Sequence, residues 1–259
     1  MQILCTNDDG ILGEGLHTLE SVASEFGTVT TVVPDRERSA TSQALTLHEP
    51  IRVKKVGDRR FTVNGTPADC MWVALNHILD EDPDLVLSGI NRGPNLAMDV
   101  LYSGTVAGAI EGLLRDIPSI ALSFVGAPDY PFEKIRSAAS QVLKHVLSQE
   151  FPSGSVLNIN FPHPENPGIH GIRMTHLGKR YYSQEVEERR DPRGSSYFWI
   201  GGSTVTNETI PGSDCTAVAD GFISITPLHL QLTNQRAMEA LSGWNNLKLS
   251  LDPTSGGGS

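Results

Sequence analysis

Short apolar runs alternate with helical patterns along the first half of the chain, the order expected when strands and helices take turns around one sheet. Residues 2–6 read as a buried strand. A helix follows, with Leu16, Leu19, Val22, Ala23 and Phe26 at helical spacing and Gly27 placed as its C-cap. Residues 28–33 are β-branched almost throughout and predict a second strand, ended by Pro34. The period then changes. Residues 44–48, 51–56 and 60–63 predict short antiparallel strands, the last two joined at Gly57-Asp58. Thr66, Pro67 and Asp69 supply the cap, the first position and the third of a helix whose apolar side carries Met71, Ala74, Leu75 and Ile78.

Residues 84–87 predict a strand that leads into a glycine- and asparagine-rich loop over 88–103. A helix of small residues runs from about 105 to 115, a strand over 119–124, an amphipathic helix over 132–147 and a strand over 155–161. Beyond residue 162 the pattern loosens. Residues 180–200 alternate weakly around Asp191-Pro192-Arg193-Gly194, a type I turn sequence with Pro second and Gly fourth, and predict a long hairpin arm. Its aromatics, Tyr181, Tyr182, Tyr197, Phe198 and Trp199, suit an assembly surface outside the catalytic core. Residues 221–227 return as a strand and 234–241 as a short helix, and Ser255-Gly256-Gly257-Gly258-Ser259 has the composition of a flexible tail. The expectation is one α/β domain over 1–259. Its mainly parallel sheet is flanked by helices, with a core at about 1–165 plus 221–245 and a protruding β-hairpin arm at about 178–215.

Composition narrows the setting. With 259 residues, 39% of them hydrophobic, the chain can bury a sizeable core. No apolar run approaches the roughly 20 residues of a membrane span. The residues before Asp8 lack the basic segment of a secretory signal. Cys5, Cys70 and Cys215 are odd in number and far apart, which argues against a disulfide framework and points to a reducing cytoplasm. A net charge of −10 disfavours a nucleic-acid polymer as partner. It leaves room for a small phosphorylated molecule, because a bound cation reverses the local field.

Ligands of open α/β sheets bind beyond the carboxyl ends of the strands, and the chemically suggestive clusters fall there. Asn7-Asp8-Asp9-Gly10 directly follows the first strand. Adjacent carboxylates repel each other and, when partly buried, call for a cation. Oxygen donors without Cys or a His pair suit Mg²⁺, Mn²⁺ or Ca²⁺. The same residues also make an ordinary turn. Pro34-Asp35-Arg36-Glu37-Arg38-Ser39 follows the second strand, where a solvated charged loop is the plainer reading. Ser88-Gly89-Ile90-Asn91-Arg92-Gly93-Pro94-Asn95 follows the strand ending at 87. Ser103-Gly104-Thr105 opens a helix whose first N–H groups suit a phosphate, and equally serves as a plain N-cap. The chain lacks the third glycine of a dinucleotide fingerprint, a Walker A sequence, an H-E-x-x-H pair and a G-x-S-x-G elbow.

Read in order, the motifs resemble those of the SurE family of stationary-phase survival phosphatases. The matching text is Thr6-Asn7-Asp8-Asp9-Gly10-Ile11, Pro34-Asp35-Arg36 with Arg38-Ser39, Asn64-Gly65-Thr66-Pro67-Ala68-Asp69, Ser88-Gly89-Ile90-Asn91 with Gly93 and Asn95, Tyr102-Ser103-Gly104-Thr105-Val106, and late in the chain Ser224-Ile225-Thr226-Pro227-Leu228. The resemblance implies a Rossmann-like fold and hydrolysis of nucleoside 5′- and 3′-monophosphates, with short polyphosphate as a further substrate. It implies one divalent cation per subunit, Mg²⁺ or Mn²⁺, on Asp8, Asp9, Ser39 and Asn91. Asn95, Ser103, Gly104 and Thr105 would face the phosphate, and the C-terminal arm would join a homodimer or homotetramer. Gly13 and Ala40 depart from the family, standing where Ala and Gly are common. The D-x-D of aspartate-nucleophile phosphatases is missing, so Asp8 or Asp9 is expected to orient or deprotonate an attacking water. The alternatives are a non-catalytic nucleotide or metal sensor in the same cleft, or a phosphatase of non-nucleotide phosphoesters. No aromatic cluster in the sequence announces a base pocket.

Overall fold

The computed structural model describes residues 1–127, 129–183, 185–201 and 205–246, so the tail at 255–259 lies outside the described residues. The chain divides into two compact units, Met1–His229 and Leu230–Ser259. In the second, helix α6 (Gln235–Ala240) is capped by Asn234, whose side chain accepts from the Ala237 N–H at 3.0 Å. All that follows concerns the first unit.

Among the described residues nine strands make one mostly parallel sheet. Its central strand, β1 (Gln2–Thr6), pairs in parallel with β2 (Thr28–Pro34) on one side and β5 (Leu85–Arg92) on the other. Beyond β2 lie β4 (Arg60–Val63) and the antiparallel edge strand β3 (Val53–Gly57). Beyond β5 lie β6 (Ser119–Phe124) and β7 (Val156–Phe161), then β13 (Phe222–Leu228) antiparallel to β7, and β8 (Gly171–Met174) at the far edge.

Both faces of the sheet are buried, which is why its central strands read as unbroken apolar runs. Alternation sends Ile3 and Cys5 of β1 to one face, against α1 (Glu14–Ala23) and α4 (Glu133–Leu147). Leu4 faces the other way, against α2 (Pro67–Val73). The start of α2 is a full capping box: Thr66 accepts from the Asp69 N–H while Asp69 accepts from the Thr66 N–H, worth about 1 kcal/mol. Helix α3 (Gly104–Leu113) packs on β5 and β6 through its small residues. A methyl group at Gly108 or Gly112 would collide with Ser88 or Ser119.

Three sequence expectations are corrected. Residues 44–48 form no strand, because their polar groups are taken by α2: the Thr46 N–H and hydroxyl both donate to Asp69, and the Ala44 carbonyl accepts from the Thr66 hydroxyl. Helix α1 ends at Ser24, so Gly27 is no C-cap; a Cβ there would stand 2.2 Å from the Met1 carbonyl oxygen. The expected loop at 88–103 begins later, because β5 continues through Arg92 with a register shift against β6 between Ser88 and Asn91.

The arm is present. Strands β10 (Glu185–Arg190) and β11 (Ser196–Gly201) form an antiparallel hairpin, closed by the bond from the Gly194 N–H to the Asp191 carbonyl at 2.9 Å. At its base β9 (Arg180–Tyr182) pairs with β12 (Val205–Asn207). Asp214, at the start of α5 (Asp214–Ala219), is fully buried and ties the arm down. It accepts from the Gly178 N–H at 2.7 Å through one oxygen and from the Ala97 N–H at 2.8 Å through the other.

Candidate active site

After β1 the chain runs to β2 on one side, and later from β5 outward on the other, so the sheet reverses its winding at the β1/β5 crevice. That crevice is where an open α/β sheet accepts its ligand. A cavity of about 930 Å³ opens there, lined by Asp8, Asp9, Ser39, Asn91, Asn95 and Ser103 among others. The structure thus brings together the clusters that follow β1, β2 and β5 and that precede α3.

The turn after β1 is built by its flanking residues. Buried Asn7 donates to the Gly10 carbonyl at 2.9 Å and accepts from the Gly10 N–H at 3.1 Å. Gly10 has φ +83°, a conformation that favours glycine. Asn-Asp-Asp-Gly is therefore a turn, and the turn displays the two acids. At Gly13 a Cβ would come within 2.8 Å of the Asp9 Cβ, so glycine lets the turn lie close to the start of α1. The second cluster is laced to the first by the Arg38 N–H, which donates to the Asp8 carbonyl at 2.8 Å.

Asp8 is almost fully buried, and its Oδ1 accepts from the Thr105 hydroxyl at 2.7 Å. Burial raises its pKa, against the Thr105 hydrogen bond, and Glu37 raises it further. Asp9 is pushed up to about 6 by burial first, then by the charges of Asp8 and Glu37, with Arg92 acting in the opposite direction. Asp8, Asp9 and Glu37 thus press on one another at the cavity, with the guanidinium of Arg92 as the opposing charge felt by Asp9.

The remaining predicted residues differ in where they stand. Ser39 lines the cavity and donates its hydroxyl to Glu37 Oε1 at 2.6 Å, which leaves its oxygen free to accept or to ligate. The Asn91 amide nitrogen donates to the Gly93 carbonyl at 3.0 Å, so its oxygen is the atom available to a cation. Asn95 is held rigidly: its N–H donates to Asn160 at 2.9 Å, its amide nitrogen to Ser123 at 2.7 Å, and its carbonyl accepts from Asn158 and Asn160. Ser103 caps α3 by accepting from the Val106 N–H at 3.1 Å. Gly104 and Thr105 do not line the cavity. A Cβ at Gly104 would meet the Asp8 Cβ at 2.8 Å, so glycine lets the start of α3 approach the acid, and the hydroxyl of Thr105 is committed to Asp8.

Sequence reasoning missed part of the wall. Arg92 stands in the motif after β5 with no role evident from the sequence, yet its guanidinium sits 4.4 Å over the Phe132 ring and pairs with Glu14 at 2.6 Å. Tyr102, Phe132 and Tyr182 line the cavity, although they are too scattered in the sequence to announce a base pocket. Arg180, Tyr182 and Ile200 come from the arm, so the arm is not wholly outside the site. The Tyr182 hydroxyl donates to Asp99 Oδ2 at 2.6 Å, and burial with that bond pushes its pKa up to about 12.

The profile of the family described as survival protein SurE matches residues 3–184. The chain belongs to the SurE family. Proteins named 5′-nucleotidase SurE from Gemmatimonas aurantiaca and Myxococcus xanthus are each 47% identical to it, over 94% of this chain and 98% and 93% of theirs. The crystal structure of the SurE protein from Aquifex aeolicus is 39% identical, with a TM-score of 0.83 over 95% of this chain and all of that one. The SurE fold expected from the motifs is thus the fold found, with hairpins added between β8 and β13. Among the described residues no helix is long and apolar enough to cross a membrane.

Proposed function

We propose that this chain is a divalent-metal-dependent phosphatase that hydrolyses nucleoside 5′-monophosphates, and 3′-monophosphates and short polyphosphate as further substrates. The observation that carries the reading is the pair Asp8 and Asp9 at the carboxyl end of the central strand, facing one cavity with the start of α3. The name 5′-nucleotidase carried by relatives that align along nearly their whole length supports the substrate class.

The donor set fits a hard cation. Among the described residues no three His, Cys, Asp or Glu side chains gather as a metal group, so carboxylates supplemented by neutral oxygens would do the holding. Asp8, Asp9, Ser39 and Asn91 would hold it, and Mg²⁺ or Mn²⁺ is the match for all-oxygen ligation. Bound there, it would supply Lewis-acid charge stabilisation and a more acidic water. The chain's own residues do the rest. Thr105 fixes the Asp8 carboxyl, whose Oδ1 it engages. Asp9, less enclosed than Asp8, is the residue to orient the water and take its proton. The Ser103 hydroxyl at the cavity wall receives a phosphoryl oxygen, and the N–H groups of Gly104 and Thr105 behind it, which have no intrahelical acceptor, favour the anion. Asn95 adds a rigid amide. The cytoplasm, and a homodimer or homotetramer joined by the arm, complete the proposal.

Phosphate release from a panel of nucleoside monophosphates, with metal stripped by chelator and then restored, tests it. Release that is abolished by chelation and restored by Mg²⁺ or Mn²⁺ is the expected result. Full activity after exhaustive metal removal defeats the metal-dependent mechanism, and nucleotide binding without release makes the protein a sensor instead.

A further inference from the structure

The cavity is larger than phosphate chemistry needs. At about 930 Å³ it is of the size that takes in a whole small-molecule ligand. Its walls also differ in kind: acids and amides gather at the strand ends, while Tyr102, Phe132, Tyr182 and Met98 supply rings and apolar surface. Into the same cavity reaches Arg180, from the base of the arm.

Arg180 is nine-tenths buried. Its Nη1 lies 3.0 Å from Asp99 Oδ2, off the hydrogen-bond direction, and among the described residues neither Nη1 nor Nε has an aligned acceptor. A buried guanidinium with unused N–H groups is costly unless an acceptor meets it. The rest of its surroundings are fixed: Asp99 also accepts from the Tyr182 hydroxyl at 2.6 Å, and the guanidinium lies 5.6 Å from the Tyr182 ring centroid. Strand alternation accounts for the choice of tyrosine. Tyr181 turns away and bonds Glu208 at 3.0 Å, while Tyr182 turns into the cavity.

We propose that Arg180 and Tyr182 form the nucleoside subsite: Arg180 donates to an acceptor on the base or sugar, and the base stacks on the Tyr182 ring with Tyr102 beside it. Aromatic stacking is sequence-tolerant and suits a site that accepts more than one base. With its charge already opposed by Asp99 at 3.0 Å, the Arg180 guanidinium is matched to a neutral heterocycle or sugar carrying acceptors rather than to a second phosphate. The inference deepens the nucleotidase reading and rests on it. It gives the arm a second task, because substrate selection then depends on a segment tied to the site through Asp99 and Asp214.

The test is steady-state kinetics of the full-length protein and of Arg180→Met, Tyr182→Leu and Tyr182→Phe. The substrates are adenosine and guanosine 5′-monophosphate, ribose 5-phosphate, glycerol phosphate and tripolyphosphate. In Arg180→Met and Tyr182→Leu the ratio of kcat/KM for nucleotide to that for glycerol phosphate falls about tenfold or more, mostly through KM. Tyr182→Phe keeps the ring and restores most of what Leu loses. A loss on ribose 5-phosphate in Arg180→Met assigns the acceptor to the sugar, and its absence assigns it to the base. Equal losses on every substrate, no loss on nucleotides, or a loss confined to tripolyphosphate overturns the proposal. If the unmodified protein releases no phosphate, the nucleotidase reading fails by itself. Calorimetric binding of adenosine 5′-monophosphate to the same variants then decides the subsite: weaker binding upholds it, and unchanged binding sinks it.

Discussion

The hydroxyl of Thr105 donates to Oδ1 of Asp8 at 2.7 Å, joining the first turn of α3 to the acid that follows β1 across 97 residues of chain. Both groups are buried, so the bond is not traded for water, and it fixes which oxygen of Asp8 is left for a ligand. This changes the role of Thr105 from a phosphate donor to a positioning residue.

Thr105→Val is therefore expected to act on the metal rather than on phosphate. A lost hydrogen bond to a charged group costs roughly 1.5–3 kcal/mol, or about 10- to 100-fold. Half-activation should require correspondingly more Mg²⁺ or Mn²⁺, with inhibition by inorganic phosphate little changed. The reverse pattern, weaker phosphate inhibition at an unaltered metal requirement, would return the hydroxyl to the anion.

Asp9 predicts how stability depends on pH when metal is removed. Its folded pKa of about 6 stands above the roughly 3.9 of an unfolded aspartate, so the folded state binds more protons between those values. The contribution is fully present below pH about 4 and is lost as pH rises through 6. Asp9→Asn removes the titration while keeping a similar shape. In metal-free protein the variant should melt above the parent at pH 7.5, and the gap should narrow at pH 5. Turnover should fall severely at the same time. A gap independent of pH contradicts the burial and crowding read from the structure.

Ala40 has φ +56°, in the left-handed region where a Cβ is costly, and it stands beside Ser39. That conformation costs a non-glycine residue about 1–2 kcal/mol, while glycine returns about 0.4–1 through the freer unfolded chain. Ala40→Gly should therefore raise stability by some tenths of a kcal/mol to about 1 kcal/mol. Denaturant unfolding measures it, and a destabilised variant shows that the methyl group packs usefully.

Much of this was legible because burial on both faces writes strands as continuous apolar text. Ile3, Leu4 and Cys5 are buried on alternate sides, and β1 was readable to the residue. The capping box at Thr66 and Asp69 is local chemistry and was equally plain. Residues 44–48 alternate like a strand, yet the side chains of Asp69 and Thr66 take their hydrogen bonds, a tertiary outcome that no period encodes. Strands β9 and β12 have three residues each, too few to show a period. Asp8, Asp9, Asn91, Asn95 and Ser103 were readable because each lies at a strand's carboxyl end or a helix start. Arg180 and Tyr182 were not, since they reach the cavity through Asp99 and Asp214 rather than through the main sheet.

The outer part of the arm carries the last prediction. In the β10–β11 hairpin Tyr197 and Trp199 share one face and Phe198 and Ile200 the other, and all four are exposed, from 41% to 91%. Among the described residues nothing covers either face. A two-stranded hairpin is marginal alone in water, and clustered aromatics on both its sides call for a partner surface. Tyr and Trp are the residues that interfaces enrich. Val186 and Ile200 oppose each other in the ladder, so residues 187–199 can be replaced by Asn-Gly without changing the register below them. The shortened protein keeps Arg180, Tyr182, Ile200 and the ladder of β9 with β12. Light scattering should give it a smaller mass in solution than the full chain, while titration shows that it still binds Mg²⁺ or Mn²⁺. An unchanged mass means that the hairpin is not what holds the copies together. A smaller mass with metal binding lost means that the arm and the metal site cannot be separated, because the assembly then completes the site.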